Sequence, residues 1–230
     1  MTAIVVLSVA RPSILGDMRD GDRKYWDQHA KNYDRSMALL GRPIPRMVEL
    51  VGEATRGLGR VLEVAAGTGL VTPRIAAGAG EVVATDYSAA MVAALEQRVR
   101  GAGLSNVRCE QADLYDLRFD DDTFDAVVAA NVLHLVPDLS AALASLRRVM
   151  KLGGTLIVPT YCHDETTLSR IASRLLALSG FPGYRRFTAR SPRRAIEDAG
   201  VHVTRCETLP GLIPIGYVAG RVTERPYPSR

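Results

Sequence analysis

Val61-Leu62-Glu63-Val64-Ala65-Ala66-Gly67-Thr68-Gly69 is a short apolar run that breaks into a glycine-containing turn. Apolar residues without alternation suit a strand covered on both faces, as in a parallel sheet. The turn would then lie at the carboxyl end of the strand, where open α/β sheets bind ligands. Four similar runs follow, at Glu81–Thr85, Asn106–Glu110, Phe124–Ala130 and Thr155–Val158. Helical patterns separate them at about residues 71–79, 88–101 and 138–151. Ser88 and Asp138 are the expected N-caps, with Gly101 and Gly153 at or just past helix ends. This alternation predicts a doubly wound, Rossmann-like α/β sheet.

Outward from that centre, two helices are expected before the first strand, around 22–39 and 44–57. Pro43 and Pro45 sit where a helix can begin. After the fifth strand come a helix at 164–179, a loop at 180–184, and a helix from Ser191-Pro192 to Gly200. Val201–Thr204 and Leu212–Ile215 read as final strands, the second at or near an edge because of Pro214. The sheet is thus mostly parallel with an antiparallel final strand. The expected organisation is an extension at 1–20, one domain over 21–220 and a frayed tail at 221–230. Within the domain, 21–58 forms a helical lid and 163–190 an insert on the acceptor side.

A chain of 230 residues can bury a sizeable core without staples. Its net charge of +4 is too small and too evenly spread for a nucleic-acid footprint. Three cysteines, at 109, 162 and 206, lack metal spacing and fit reduced thiols in the cytoplasm. Ile4-Val5-Val6-Leu7 is too short, and lacks the preceding basic residue, for an export signal. No later apolar run approaches the roughly 18 residues of a membrane span.

The turn after the first strand invites a nucleotide. A dinucleotide fingerprint requires glycine three residues beyond Gly69, and Thr72 is there instead. Glu63 makes the site acidic, which disfavours a pyrophosphate. It suits a cofactor with a sulfonium and an ammonium, namely S-adenosylmethionine. Asp86 ends the second strand, where a carboxylate can accept ribose hydroxyls. Asp113 follows the third strand, where it can accept from an adenine amino group beside Leu114. Each acid alone is readily a turn or cap residue. Three at successive strand ends favour a nucleoside.

Residues 61–72 (VLEVAAGTGLVT), 82–91 (VVATDYSAAM), 112–117 (ADLYDL) and 124–136 (FDAVVAANVLHLV) resemble the motifs of class I S-adenosylmethionine-dependent methyltransferases. Lys151-Leu152-Gly153-Gly154 is similar to them as well. The likeness spans about residues 22–208 and is nearest to the ubiquinone/menaquinone-biosynthesis group. The resemblance implies that Glu63, Gly67 and Gly69 line the methionine portion. It gives Asp86 the ribose, and Asp113 with Leu114 the adenine. It also places Tyr87 and Met91 at the cofactor, and Asn131 near the reacting methyl. Ala65 departs from the family's first loop glycine, which is tolerable if its φ is negative. Tyr25-Trp26 and Tyr33-Asp34 are similar to the aromatic helix that closes over the cofactor in related enzymes. Trp26 suits core packing, and Tyr33 cofactor contact.

Methyl transfer requires alignment, exclusion of water and, for a protonated acceptor, a base. His134, three residues past Asn131, and His163, after the fifth strand, are the candidate catalytic residues. Arg185, Arg186, Arg190, Arg193 and Arg194 interleave with Phe181, Tyr184 and Phe187, which suits an anionic or aromatic acceptor. The expected partner is a small molecule, with no integral membrane association and the oligomeric state open. An RNA or protein methyltransferase, a non-catalytic cofactor binder and a nicotinamide oxidoreductase are the alternatives. The arginines alone support the first of these, Thr72 and Glu63 oppose the last, and the tetrapeptide Asn131–His134 lacks the pattern that holds a flipped base.

Overall fold

The computed structural model describes residues 12–33, 35, 43–177, 181 and 183–223. Asp34, Pro182, the Ile4–Leu7 run and the tail from Arg225 lie outside the described residues. Seven strands form one sheet: β1 (Arg60–Val64), β2 (Glu81–Asp86), β3 (Val107–Gln111), β4 (Phe124–Val128), β5 (Met150–Tyr161), β6 (Val201–Leu209) and β7 (Ile215–Val222). Their order is β3-β2-β1-β4-β5-β7-β6. Strands β1 to β5 pair in parallel, and β7 runs antiparallel to both β5 and β6. The sheet order reverses between β1 and β4, which opens a crevice at the carboxyl ends of these strands.

The unalternating strand sequences are explained by burial on both sides. Val61, Val82 and Ala126 face one core with α2 (Ile44–Thr55) and α4 (Ala89–Gly101). Leu62, Val83 and Val127 face the other with α5 (Leu139–Arg148) and α7 (Ser191–Asp198). The short α3 (Thr72–Ala76) leads out of the glycine loop, and α6 (Thr167–Ala177) follows β5. The central strands β1, β2 and β4 therefore need apolar residues at consecutive positions.

Ser88 and Asp138 cap as expected, accepting from the backbone N–H of Met91 and Ala141. Of the two glycine expectations, that for Gly153 needs correction. Helix α4 ends at Gly101, as expected, and is closed off by Gly103, at φ +65°, whose N–H reaches Arg100 while that of Leu104 reaches Val99. These two bonds form a Schellman motif. Gly153 lies within β5, because that strand begins at Met150 and is much longer than its Thr155–Val158 centre.

Two further corrections concern the ends of the chain. The first helix, α1, spans Pro12–His29 and passes into a 3-10 turn at Ala30–Asn32, so it starts inside the expected extension. Residues 36–39 of the expected helix lie outside the described residues. The last strand is Ile215–Val222, running into the expected tail, whereas Leu212–Ile213 precede it in a bend. It lies near the edge as expected, one strand in from β6. Pro214 sits just before the strand, where its missing N–H breaks no ladder.

Candidate active site

The loop after β1 is held open by backbone geometry. Gly67 and Gly69 have φ of +59° and +84°, and a Cβ on Gly69 would meet Leu95 Cδ1 at 2.6 Å. Ala65 also has positive φ, +50°, so the condition set for tolerating its methyl does not hold. It is a strained position for an L-residue with a side chain. Asp86 ties the loop to the next strand end. One carboxylate oxygen accepts from Gly67 N–H at 2.8 Å and the other from Ser88 N–H at 2.9 Å. Burial pushes the Asp86 pKa up to about 6, with those N–H groups opposing the shift.

A cleft opens over these strand ends at the crevice between β1 and β4. Its volume is about 790 Å³ when the open mouth is included. Ala65 and Gly67 line it from β1, Asp86, Tyr87 and Met91 from β2, and Asp113 and Leu114 from β3. Asn131 lines it after β4, and Tyr33 reaches it from the end of the N-terminal segment. Nine of the expected cofactor residues thus converge. Asp113 also takes the turn role weighed for it, since one of its carboxylate oxygens accepts from Tyr115 N–H at 2.9 Å.

Glu63 and Gly69 do not line the cleft. Glu63 is buried behind the loop, where it accepts from the Thr72 hydroxyl at 2.7 Å. Desolvation raises its pKa to about 8, with Asp86 adding to the shift. Gly69 faces Leu95 and Arg98 instead.

The two candidate catalytic histidines are likewise set back from the lining. His134 is buried against Thr160, 3.2 Å from its hydroxyl, and desolvation holds its pKa well below the usual histidine range. His163 Nδ1 lies 2.7 Å from Ser173 Oγ, and burial lowers its pKa to about 4. The rings are 5.1 Å apart, with Phe181 stacked near His134. Position after a strand places a residue on the rim, but the side chain's direction depends on loop geometry that spacing does not encode.

Several lining residues were not assigned to the cofactor site by the sequence. Trp26, expected in the core, lines the cleft together with Asp22. Its ring packs edge-on against Phe181 and Tyr33. Both Asp22 carboxylate oxygens lie within 3.0 Å of Tyr184 OH, and desolvation raises the Asp22 pKa. Tyr115, Ala130, Val132 and the run Leu135-Val136-Pro137 complete the wall. The spacing of Asp22 and Trp26, one helical turn apart, was the available signal. Asn131 supplies the most pointed clue. It adopts φ +54°, and its Oδ1 is buried without a hydrogen-bond partner among the described residues. A buried carbonyl oxygen left unpaired is costly unless a ligand donor satisfies it.

The methyltransferase-domain family model matches residues 62–158. A ubiquinone/menaquinone biosynthesis C-methyltransferase UbiE of Stutzerimonas stutzeri is 33% identical over 196 residues, 80% of this chain and 75% of that protein. A phosphatidylethanolamine N-methyltransferase of Cereibacter sphaeroides is 34% identical over 158 residues, 66% of this chain and 74% of that protein. Against other quinone-biosynthesis relatives the chain spans from 44% to 64% of their length. A methyltransferase structure from Aquifex aeolicus has the same fold, with a TM-score of 0.67, 22% identity, and coverage of 85% of this chain and 98% of that one.

The chain belongs to the class I S-adenosylmethionine-dependent methyltransferases. Within them it is similar to the quinone-biosynthesis C-methyltransferases and to a lipid N-methyltransferase. The cleft fits the family's cofactor on its own chemistry. Gly67 leaves backbone open to the ligand, Asp86 and Asp113 offer carboxylates to a nucleoside, and Asn131 Oδ1 awaits a donor.

Proposed function

We propose that this protein transfers a methyl group from S-adenosylmethionine to a small apolar acceptor, quinone-like or lipid, held in the cleft. The observation that carries this reading is the convergence of Gly67, Asp86, Asp113 and Asn131 from four strand ends on one cavity. When bound, the cofactor supplies a methyl group activated by its sulfonium. Asp86 and Asp113 orient the nucleoside, and Asn131 accepts a hydrogen bond near the reacting end. Trp26, Tyr33, Val132, Leu135 and Val136 exclude water, as an in-line displacement at carbon requires. Helix α1 serves as the lid. For an acceptor that loses a proton, Asp22 is the carboxylate in the cleft positioned to take it. His134 and His163 act from behind as positioning residues, neutral at physiological pH.

An RNA or protein acceptor draws less support. Arg193 and Arg194 pair with Glu197 and Asp198 on their own helix, and Arg185 donates to the Pro137 carbonyl. The reading places the protein in the cytoplasm, in keeping with the free thiols of Cys109, Cys162 and Cys206. Calorimetry with S-adenosylmethionine and with NADH tests the cofactor, and labelled-methyl transfer to quinone and lipid fractions tests the acceptor class. Asp86→Asn should weaken S-adenosylmethionine binding at least tenfold. Binding of NADH without binding of S-adenosylmethionine would overturn the proposal.

A further inference from the structure

Among its described side chains, helix α6 is turned inside out. Its inward face carries small and polar residues: Ser169 and Ser173 are buried, with Ala172 half-buried between them. Its outward face carries Leu168, Ile171 and Leu175, which are 59%, 52% and 64% exposed. Their spacing of three and four residues places them in one stripe. A helix that packs on a core for its own stability does the opposite. The inward serines have an evident role: Ser173 donates to the Ser169 carbonyl at 2.6 Å, which leaves His163 Nδ1–H to donate to Ser173 Oγ. The outward leucines and isoleucine have none within the described residues.

The charge around the stripe narrows what covers it. Arg170 and Arg174 are exposed on the same helix, and neither forms an ion pair among the described residues. Arg186 is exposed close to His163, whose pKa it helps to lower. The nearby acids, Asp164 and Glu165, precede the helix, and Glu165 is engaged by Ala189 N–H. We infer that the outward face of α6 docks on an anionic lipid surface, with Leu168, Ile171 and Leu175 entering the headgroup boundary and Arg170 and Arg174 meeting lipid phosphates. Basic residues beside an apolar stripe are the composition of helices that lie in the membrane interface.

A second copy of the chain fits poorly. In a two-fold interface the same patch meets itself, which would set Arg170 and Arg174 against their own counterparts. Three half-exposed side chains also fall well short of the roughly 800 Å² per partner of a stable interface. None of the described helices is long and apolar enough to cross a membrane, so the contact is one of surface docking. The placement has a consequence for the acceptor. Helix α6 leads to Phe181, which packs against Trp26 at the cleft. Docking there brings the cleft to the bilayer, so the methyl acceptor is a lipid-soluble molecule. That last step rests on the methyltransferase reading; the docking surface does not.

Vesicle flotation of the full chain tests the surface. Wild type should float with phosphatidylcholine vesicles containing phosphatidylglycerol and bind pure phosphatidylcholine far more weakly. Combined Leu168→Gln, Ile171→Gln and Leu175→Gln should reduce flotation at least tenfold. Arg170→Gln with Arg174→Gln should reduce it by roughly thirtyfold at low salt. Calorimetry on the same preparations should show unchanged S-adenosylmethionine affinity, which separates this proposal from the cofactor reading. The inference is overturned if wild type fails to float with either vesicle, if the variants float equally well, or if the apolar triple variant instead dissociates a dimer.

Discussion

Ala65 and Asn131 hold positive φ on either side of the cleft, and each makes a separate prediction. For Ala65 the left-handed conformation brings Cβ against its own backbone, at a cost of about 1 kcal/mol or more. Ala65→Gly should therefore raise the unfolding free energy by about 1 kcal/mol, read from urea denaturation. A loss of stability would mean that the methyl's packing outweighs its strain. Asn131 tolerates the same conformation better, and its defect lies in the unpaired Oδ1. Asn131→Gly keeps the backbone and removes the orphan. Stability should change by less than about 1 kcal/mol while affinity for cofactor or acceptor falls about tenfold. Unchanged affinity for both would remove Asn131 from the site. Motif spacing identified both positions, but neither dihedral was legible, since φ depends on how the loop closes over β2 and β5.

Helix α1 shows what an element gains from contacts distant in sequence. Ser88, already the cap of α4, donates its hydroxyl to Asp27, and Asp22 accepts from Tyr184. Arg23 lies over the Tyr87 ring at 5.7 Å. These tethers join α1 to the strand-end rim and to the segment after α6. Tyr184→Phe and Asp22→Asn each weaken the second tether, so both should speed hydrogen exchange in α1, by about tenfold. They should part company in catalysis. Only Asp22→Asn removes a carboxylate, and it should slow transfer to a protonated acceptor by about a hundredfold or more, with Tyr184→Phe far milder. Equal transfer rates in the two variants would end the proton-acceptor role. The element scale also marks where sequence reading succeeded and failed. Strands β1, β2 and β4 were legible because burial on both faces demands uninterrupted apolar runs. Strand β7 was misplaced because its interior includes Gly216, Gly220 and Arg221, while the more apolar Leu212-Ile213 is only a bend. Glycine is required there by close packing: a Cβ on Gly220 would lie 2.8 Å from the His202 carbonyl oxygen.

At the scale of the whole molecule, four buried titratable groups set opposing dependences on pH. Glu63 and Asp86 have folded pKa values near 8 and 6, above their ordinary 4.5 and 3.8. A raised folded pKa means the native state holds the proton more tightly, so their stabilisation is lost as pH rises toward those values. His134 and His163 are depressed below 6.5, the latter to about 4, so they destabilise the fold as pH falls below 6.5. Between about pH 4.5 and 6 the two pairs largely offset each other. Above 6.5 the histidines are neutral and Asp86 is ionised whether folded or unfolded. Glu63 alone still differs between the two states. Stability should therefore fall by about 2 kcal/mol from pH 6.5 to 8, at 1.36 kcal/mol per unit. Chemical denaturation across this range checks the slope, and Glu63→Gln, which keeps a partner for Thr72 without a titrating proton, should flatten it. An unchanged stability over the same interval would show instead that Glu63 is already ionised behind the loop.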